Sequence, residues 1–504
     1  MARLFIFAIG GTGSRVLKSL TMLLAAGVKP ETATEFEIVP IIIDPHKANK
    51  DLMRAVRLLD NYQRIAAAVG AGNGFFDTKI TTLNNLTIAE NRLKESFTFN
   101  LQQVTNTKFR NYIDFNELSN VSKASQSLAE ILFSGKSIGK RGEAIDLLDI
   151  EMEIGFVGNP NIGSIVLNQF KDSDEFREVA SNFNDEDRIF IISSIFGGTG
   201  AAGFPTILKN IRDAMKHAGI AGKGFLQNAK IGALTALPYF NLKTDENSPI
   251  QKSDFIAKTK SALYYYKDNV SGNNSVNALY YIADNYSGSP YENDPGDGGQ
   301  RNNAHFVELA SALAIIDFLE IPDDELKCVA GEAEKPIYRE FNIKQNVADI
   351  KFSDLEIKTE DKISLPLAQF TLFKKFLDQH LKKSSEEEPW RREQFELNSQ
   401  FFSNSFYRTN LSEFLDAYGE WLKEMSENRR GFSPFELDST LESLISGRPA
   451  KSNLWRGKVY YNLFTDRLNK MSDKQPYVSA PQKLINLFYK TTKDILESRF
   501  GFKK

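Results

Sequence analysis

Twice in this chain an unbroken apolar run leads into a glycine turn and then into apolar residues at helical spacing. The first run is Leu4-Phe5-Ile6-Phe7-Ala8-Ile9, followed at once by Gly10-Gly11-Thr12-Gly13-Ser14 and then by Val16, Leu17, Leu20, Leu23 and Leu24. The second is Ile189-Phe190-Ile191-Ile192, within a strand expected over residues 188–195, followed by Gly197-Gly198-Thr199-Gly200-Ala201-Ala202-Gly203 and then Ile207, Leu208 and Ile211. A run without polar alternation is a strand buried on both faces, as parallel sheets require. In such a sheet both turns lie on the edge where strands end and helices begin. A turn free of side chains lets backbone N–H groups and the positive end of the next helix approach an anion. The first turn has no Lys after its second Gly and does not follow G-x-G-x-x-G, so it is neither a P-loop nor a complete dinucleotide fingerprint.

The alternation continues along the chain. Residues 38–43 are a second apolar strand ending in Asp44, with Pro40 inside it pointing to a sheet edge or a bulge. Residues 230–237 and 277–283 are further strands, and 303–320 is a strongly apolar helix. Strand and helix in turn predict an α/β fold: a doubly wound, mostly parallel sheet. Residues 51–150 are polar and helix-prone and read as a helical insertion. Residues 155–163 hold three glycines and a proline and must form a loop. Segments 337–343 and 348–357 are candidates for a short strand pair, and from 365 onward the pattern is amphipathic helix. The expected organisation is a core of 1–50 plus 151–334, an insertion at 51–150 and a mostly helical C-terminal region at 335–504.

Composition removes several function classes. The 62 Lys+Arg against 65 Asp+Glu give a net charge of −3, which argues against nucleic-acid binding by bulk charge. One cysteine and four histidines leave no disulfide, no cysteine-based metal cluster and no histidine-rich metal site to expect. No apolar window is long enough to span a bilayer, and no signal-peptide pattern follows Met1, so a soluble cytoplasmic protein is expected. The 38 Phe against 3 Trp read as core filling.

Taken together, the motifs resemble those of tubulin and its bacterial relative FtsZ. Gly197 to Gly203 resembles the tubulin signature G-G-G-T-G-[ST]-G, with Phe196 at its first Gly and Ala201 at its hydroxyl residue. Gly10 to Ser14 resembles the first nucleotide loop, and Ile42-Ile43-Asp44 the second strand with its acidic end. Gly155 to Gly163, containing Gly158-Asn159-Pro160, is similar to the third loop, which faces the terminal phosphate. Leu234 to Tyr239 resembles the strand leading to the ribose loop. Ile282-Ala283-Asp284-Asn285 resembles the base-contacting segment, and Asn302 to Leu319 the central helix. The order of the seven segments matches that family over roughly residues 1–50 and 151–320.

The resemblance implies binding of GTP or GDP with Mg²⁺. Gly10, Gly11, Thr12, Gly13 and Ser14 would cradle the α/β-phosphates, and Gly197, Gly198, Thr199 and Gly200 would clamp them from the other side. Gly158 and Asn159 would face the terminal phosphate. Asp44, the acidic end of the second strand, would be a further nucleotide-binding residue. Asp284 would accept from guanine N1–H and N2–H, a donor pair that adenine lacks, while Asn303 and His305 would start the central helix near the base. Asn302 or Asn303 is also a candidate cap for that helix. The family's acidic N-x-D-x-x-[DE] pattern after the central helix is absent. Asp323, Asp324 and Glu332 are the acidic candidates for positioning an attacking water, together with Glu325 and Glu334.

Three functions stay open on the sequence. One is a GTPase assembling head-to-tail with nucleotide at the subunit interface, since heterologous contacts give open filaments. A second is a non-polymerising nucleotide switch whose insertion and C-terminal helices engage partner proteins. The third, a dinucleotide-dependent enzyme, fits least, because paired phosphate loops plus a third loop are not its pattern.

Overall fold

A computed structural model describes the chain except residues 73, 87–95, 139–142, 157, 218–220, 240–251, 285–301, 342–346, 429, 452–458, 473–475 and 503–504. Six strands form one sheet: β1 (Ala2–Ile9), β2 (Phe36–Ile43), β3 (Arg188–Ser194), β4 (Lys230–Ala236), β5 (Ala278–Ile282) and β6 (Ile337–Phe341). Their spatial order is β6-β5-β4-β3-β1-β2, and every neighbouring pair is parallel. The register sets Ala8 level with Ile42 on one side and Ile192 on the other, so β1, β2 and β3 end together.

Alternate residues of each strand feed two separate cores, which is why the strands are apolar throughout. Leu4, Ile6 and Ala8 join one, with Ile42, Phe190 and Leu234. Phe5, Phe7 and Ile9 join the other, with Ile41, Ile191 and Ala233. The first face is covered by α1 (Gly10–Ala25) and α2 (Lys50–Val69), and the second by α3 (Pro160–Leu167), α4 (Gly198–Arg212) and α5 (Lys252–Tyr266). The central helix α6 (Phe306–Glu320) joins the first face, as do α7 (Ile357–Gln379), α8 (Glu413–Ser426) and α9 (Ala480–Ile495) of the C-terminal region. Much of the phenylalanine surplus fills that seam. Phe75 lies 5.1 Å from Phe370, and Phe373 lies 5.0 Å from Phe488, ring centre to ring centre.

Two expectations change. The start of the 51–150 stretch belongs to the core: Leu52, Ala55, Leu58, Leu59, Tyr62, Ile65 and Val69 form one buried stripe of α2. Among the described residues, segments 337–343 and 348–357 do not pair with each other. Ile337–Phe341 extends the main sheet beside β5, and Asp349–Ile350 pairs in parallel with Gly431–Phe432. Pro40 has a structural reason. On the outer edge of β2, Ile38 N donates to Lys79 O and Ile42 N to Phe97 O, while Pro40, which faces the same side, has no N–H to offer.

Candidate functional site

Three glycine turns meet at the carboxyl edge of β1 and β3. A Cβ placed on Gly10, whose φ is +69°, would sit 3.5 Å from Thr199 Cβ and 3.8 Å from Gly200 N. A Cβ on Gly198 would sit 2.9 Å from Gly158 N and 3.0 Å from Asn159 N. A side chain at Gly198 would push the second and third turns apart, whereas Gly10 is needed for its positive φ. Gly13 and Gly200 do a different job. A Cβ on Gly13 would be 2.5 Å from Ala8 C, and one on Gly200 would be 2.7 Å from Ser194 O. Each lets its helix lie directly on the strand before it.

Each turn opens a helix, and none of those three helices is capped by a side chain. The residues before them are Ile9, Gly197 and Asn159, and no acidic residue stands in any of the first turns. The first N–H groups of a helix have no partner within it. Four other helices are capped, with Asn49, Ser122, Ser173 and Ser479 accepting from first-turn N–H groups, whereas α7 and α8 also lack a side-chain cap. Asn159 turns its side-chain amide away from its own helix, donating to Phe156 O and to Ser137 Oγ, both at 3.1 Å. The arrangement is a convergence of uncompensated positive helix ends, suited to an anion.

A buried charge network stands beside the first turn. Arg15 Nε donates to Glu308 Oε1 at 2.6 Å, Nη1 to Asp51 Oδ2 at 3.0 Å, and Nη2 to Tyr239 Oη at 2.8 Å. Burial would lower the Arg15 guanidinium, but the surrounding partners, Glu308 and Asp51 among them, hold it above its ordinary value. Lys18 donates to Glu424 at 2.9 Å, and Arg54 also pairs with Glu424, so the network reaches α8 of the C-terminal region. Composition and motif spacing gave no sign of Arg15 or Glu308. The available signal was charge within apolar helical stretches, Arg15 and Lys18 in α1 and Glu308 in α6, since a buried charge requires a partner.

Asp44 is buried at the end of β2 and accepts from His46 N at 3.0 Å. Burial pushes its carboxyl up to about 7, and nearby Asp51 adds to the rise. Asp284 pairs with Arg430 of the C-terminal region. Asn285 lies outside the described residues. Neither Asn302 nor Asn303 caps the central helix. His305 does: its Nδ1 accepts from Val307 N at 3.1 Å, and its own N–H goes to Glu308 Oε2. Asn302 instead donates to Asp51, and Asn303 is exposed. Burial first, then Arg15 and Arg430, push the His305 imidazole down to about 4, so it is neutral at neutral pH. Its ring lies 5.0 Å from that of Tyr239.

The acidic candidates lie at the opposite edge of the sheet. Asp323 accepts from Arg188 at 2.8 Å and from Lys230 at 3.0 Å, the first residues of β3 and β4. Burial opposes its ionisation, but these two cations prevail and hold its carboxyl below the usual range. Asp324 and Glu332 are exposed near it. The length of β3 separates Asp323 from the glycine turns by about 20 Å, at 3.3 Å per residue. These acids therefore cannot serve the turns of their own chain.

No family model matches this chain, and no curated protein matches it. Among solved structures, CetZ from Methanosaeta thermophila strain DSM 6194 is similar at 11% identity and a TM-score of 0.30. The match covers 64% of this chain and 54% of that one, so the chain spans about half of CetZ's length. The fold itself stands on the strand order: a parallel α/β sheet with a reversal of strand order between β1 and β3, where both glycine turns open.

Proposed function

We propose that this chain is a tubulin-like nucleotide-binding protein that takes GTP or GDP with Mg²⁺ and assembles head-to-tail with nucleotide at the interface. The observation that carries the reading is the meeting of three uncapped helix starts through glycines at one sheet edge. The residues fit a phosphate chain. Gly10 to Ser14 and Gly197 to Gly200 would bind its inner part, and Gly158 and Asn159 its end. They also fit Mg²⁺, which keeps several waters and takes few protein ligands, with Asp44 the acid at the end of β2. When bound, the ion would offset phosphate charge. The protein's part is to orient the phosphates by backbone N–H groups and to keep Asp44 in place through His46 N.

Head-to-tail assembly is supported by where the acids lie. Asp323, Asp324 and Glu332 can reach a nucleotide only on a second copy, stacked so that its far edge meets this site. A guanine preference requires Asp284 to share its carboxylate between Arg430 and the base. A second reading is supported by the charge network to Glu424: a non-polymerising switch whose C-terminal helices and 51–150 segment engage partner proteins. Equilibrium titration with labelled GTP, ATP and NAD tests the site, and GTP binding alone is expected. NAD binding without triphosphate binding would overturn the reading. Electron microscopy with and without GTP separates the two forms, since only the first makes nucleotide-dependent filaments.

A further inference from the structure

The glycine turns are short of positive charge. Residues 4–14, 155–163 and 195–208 contain no Lys or Arg. Arg15, the nearest cation in sequence, is occupied by Glu308 and Asp51. A triphosphate would meet only the partial charges of helix ends. Among the described residues, a cation reaches the turns from elsewhere. Lys258, on α5, donates from Nζ to Gly158 O at 3.0 Å. A Cβ on Gly158, whose φ is +71°, would lie 3.6 Å from that nitrogen. Among the described residues no carboxylate pairs with Lys258, and its side chain is exposed.

The position of Lys258 is fixed by the helix that carries it. Two turns further along α5, buried Tyr266 donates from its hydroxyl to Ala201 O at 3.3 Å, and its ring packs edge-on against Phe204 at 5.2 Å. Both partners belong to α4, the helix that follows the second glycine turn. The base of the lysine is thus tied to one wall of the site while its ammonium reaches another. Its present acceptor is a neutral carbonyl. A phosphate oxygen within reach of the same flexible side chain would be the stronger acceptor, because its negative charge adds ion–ion attraction that the carbonyl cannot offer.

We propose that Lys258 determines specificity for the terminal phosphate, moving from Gly158 O to a phosphate oxygen when a nucleoside triphosphate is bound and staying on Gly158 O with a diphosphate. The inference rests on the nucleotide reading above. It is tested by the affinities of wild type, Lys258→Met and Lys258→Arg for a non-hydrolysable GTP analogue and for GDP, both with Mg²⁺. Lys258→Met is expected to lower the triphosphate affinity about tenfold, the loss of one charge-assisted bond, with GDP affinity unchanged. Lys258→Arg is expected to restore part of the preference. Equal losses for both nucleotides would make Lys258 a support for the third turn and would overturn the proposal, as would no loss for either. Failure of the wild type to bind either nucleotide would remove the nucleotide reading and this inference with it.

Discussion

Substituting Gly198 by alanine should damage binding while leaving the fold nearly intact. The new Cβ would lie 2.9 Å from Gly158 N, 3.0 Å from Asn159 N and 3.2 Å from Gly158 Cα. Comfortable heavy-atom contact begins at about 3.5 Å, so the third turn must retreat by roughly half an ångström. Gly198 does not have a positive φ, and it is the first residue of α4, so alanine brings no backbone strain. Helix propensity favours it by up to about 1 kcal/mol, which offsets part of the overpacking. The ligand has no such compensation. A retreat of that size takes an N–H···O distance from about 2.9 Å to about 3.4 Å, where most of the bond is lost. A hydrogen bond to a charged group contributes about 1.5–3 kcal/mol, so triphosphate affinity should fall by roughly 10- to 150-fold. Isothermal titration with Mg²⁺ and a non-hydrolysable GTP analogue measures this, and a thermal melt checks the fold. The control is Gly224→Ala, in a short helix where the new Cβ meets nothing within 4 Å. Unchanged affinity in a folded Gly198→Ala protein would refute the placement of the third turn at the phosphates.

Gly13→Ala drives a Cβ to 2.5 Å from Ala8 C, backbone against backbone, and should cost about 1–3 kcal/mol in a denaturant titration. Arg15→Met leaves Glu308 and Asp51 buried without their cation and should cost about 3–5 kcal/mol near neutral pH; a loss under 1 kcal/mol would show that water or other groups compensate. Asp44 is held up to about 7 by burial, against an ordinary 3.8, so folding favours its protonated form. Its stabilising contribution is complete below pH 4 and is lost as pH rises to 7, at most about 4 kcal/mol in all. Unfolding midpoints at pH 5 and pH 8 should therefore differ less in Asp44→Asn than in wild type. Under head-to-tail assembly, hydrolysis per molecule should rise with protein concentration, and a constant specific activity would favour the non-polymerising switch.

The parts of the fold legible in the sequence were those governed by neighbours along the chain. Leu4 to Ile9 and Ile189 to Ile192 had to be strands covered on both faces, because no alternation offered a wet side. The glycines after them had to mark the switch from strand to helix, and Gly10 to Ser14 and Gly198 to Gly203 are the opening residues of α1 and α4. The third turn was plain from its composition over 155–159, but 160–163, read as loop with it, are the first residues of α3, with Pro160 opening that helix. What stayed hidden depended on partners far away. His305 displaced Asn302 and Asn303 as the cap because Glu308 and Val307 complete its hydrogen bonds within a buried setting. Residues 337–341 joined the main sheet because β5 exposed an unpaired edge, which nothing local to 337–341 records.

Sequence alone therefore determined the strand, turn and helix units and their order, since each is fixed by side-chain periodicity and by the backbone freedom of glycine. Only the tertiary structure decided that Gly10, Gly158 and Gly198 meet. It also decided that the acids after the central helix lie at the other edge of the sheet, and that Arg15 finds Glu308 across 293 positions of chain. Those outcomes follow from the parallel register of β1, β2 and β3, which ends three strands at one level. Register is set by packing both faces at once, a condition no single segment contains.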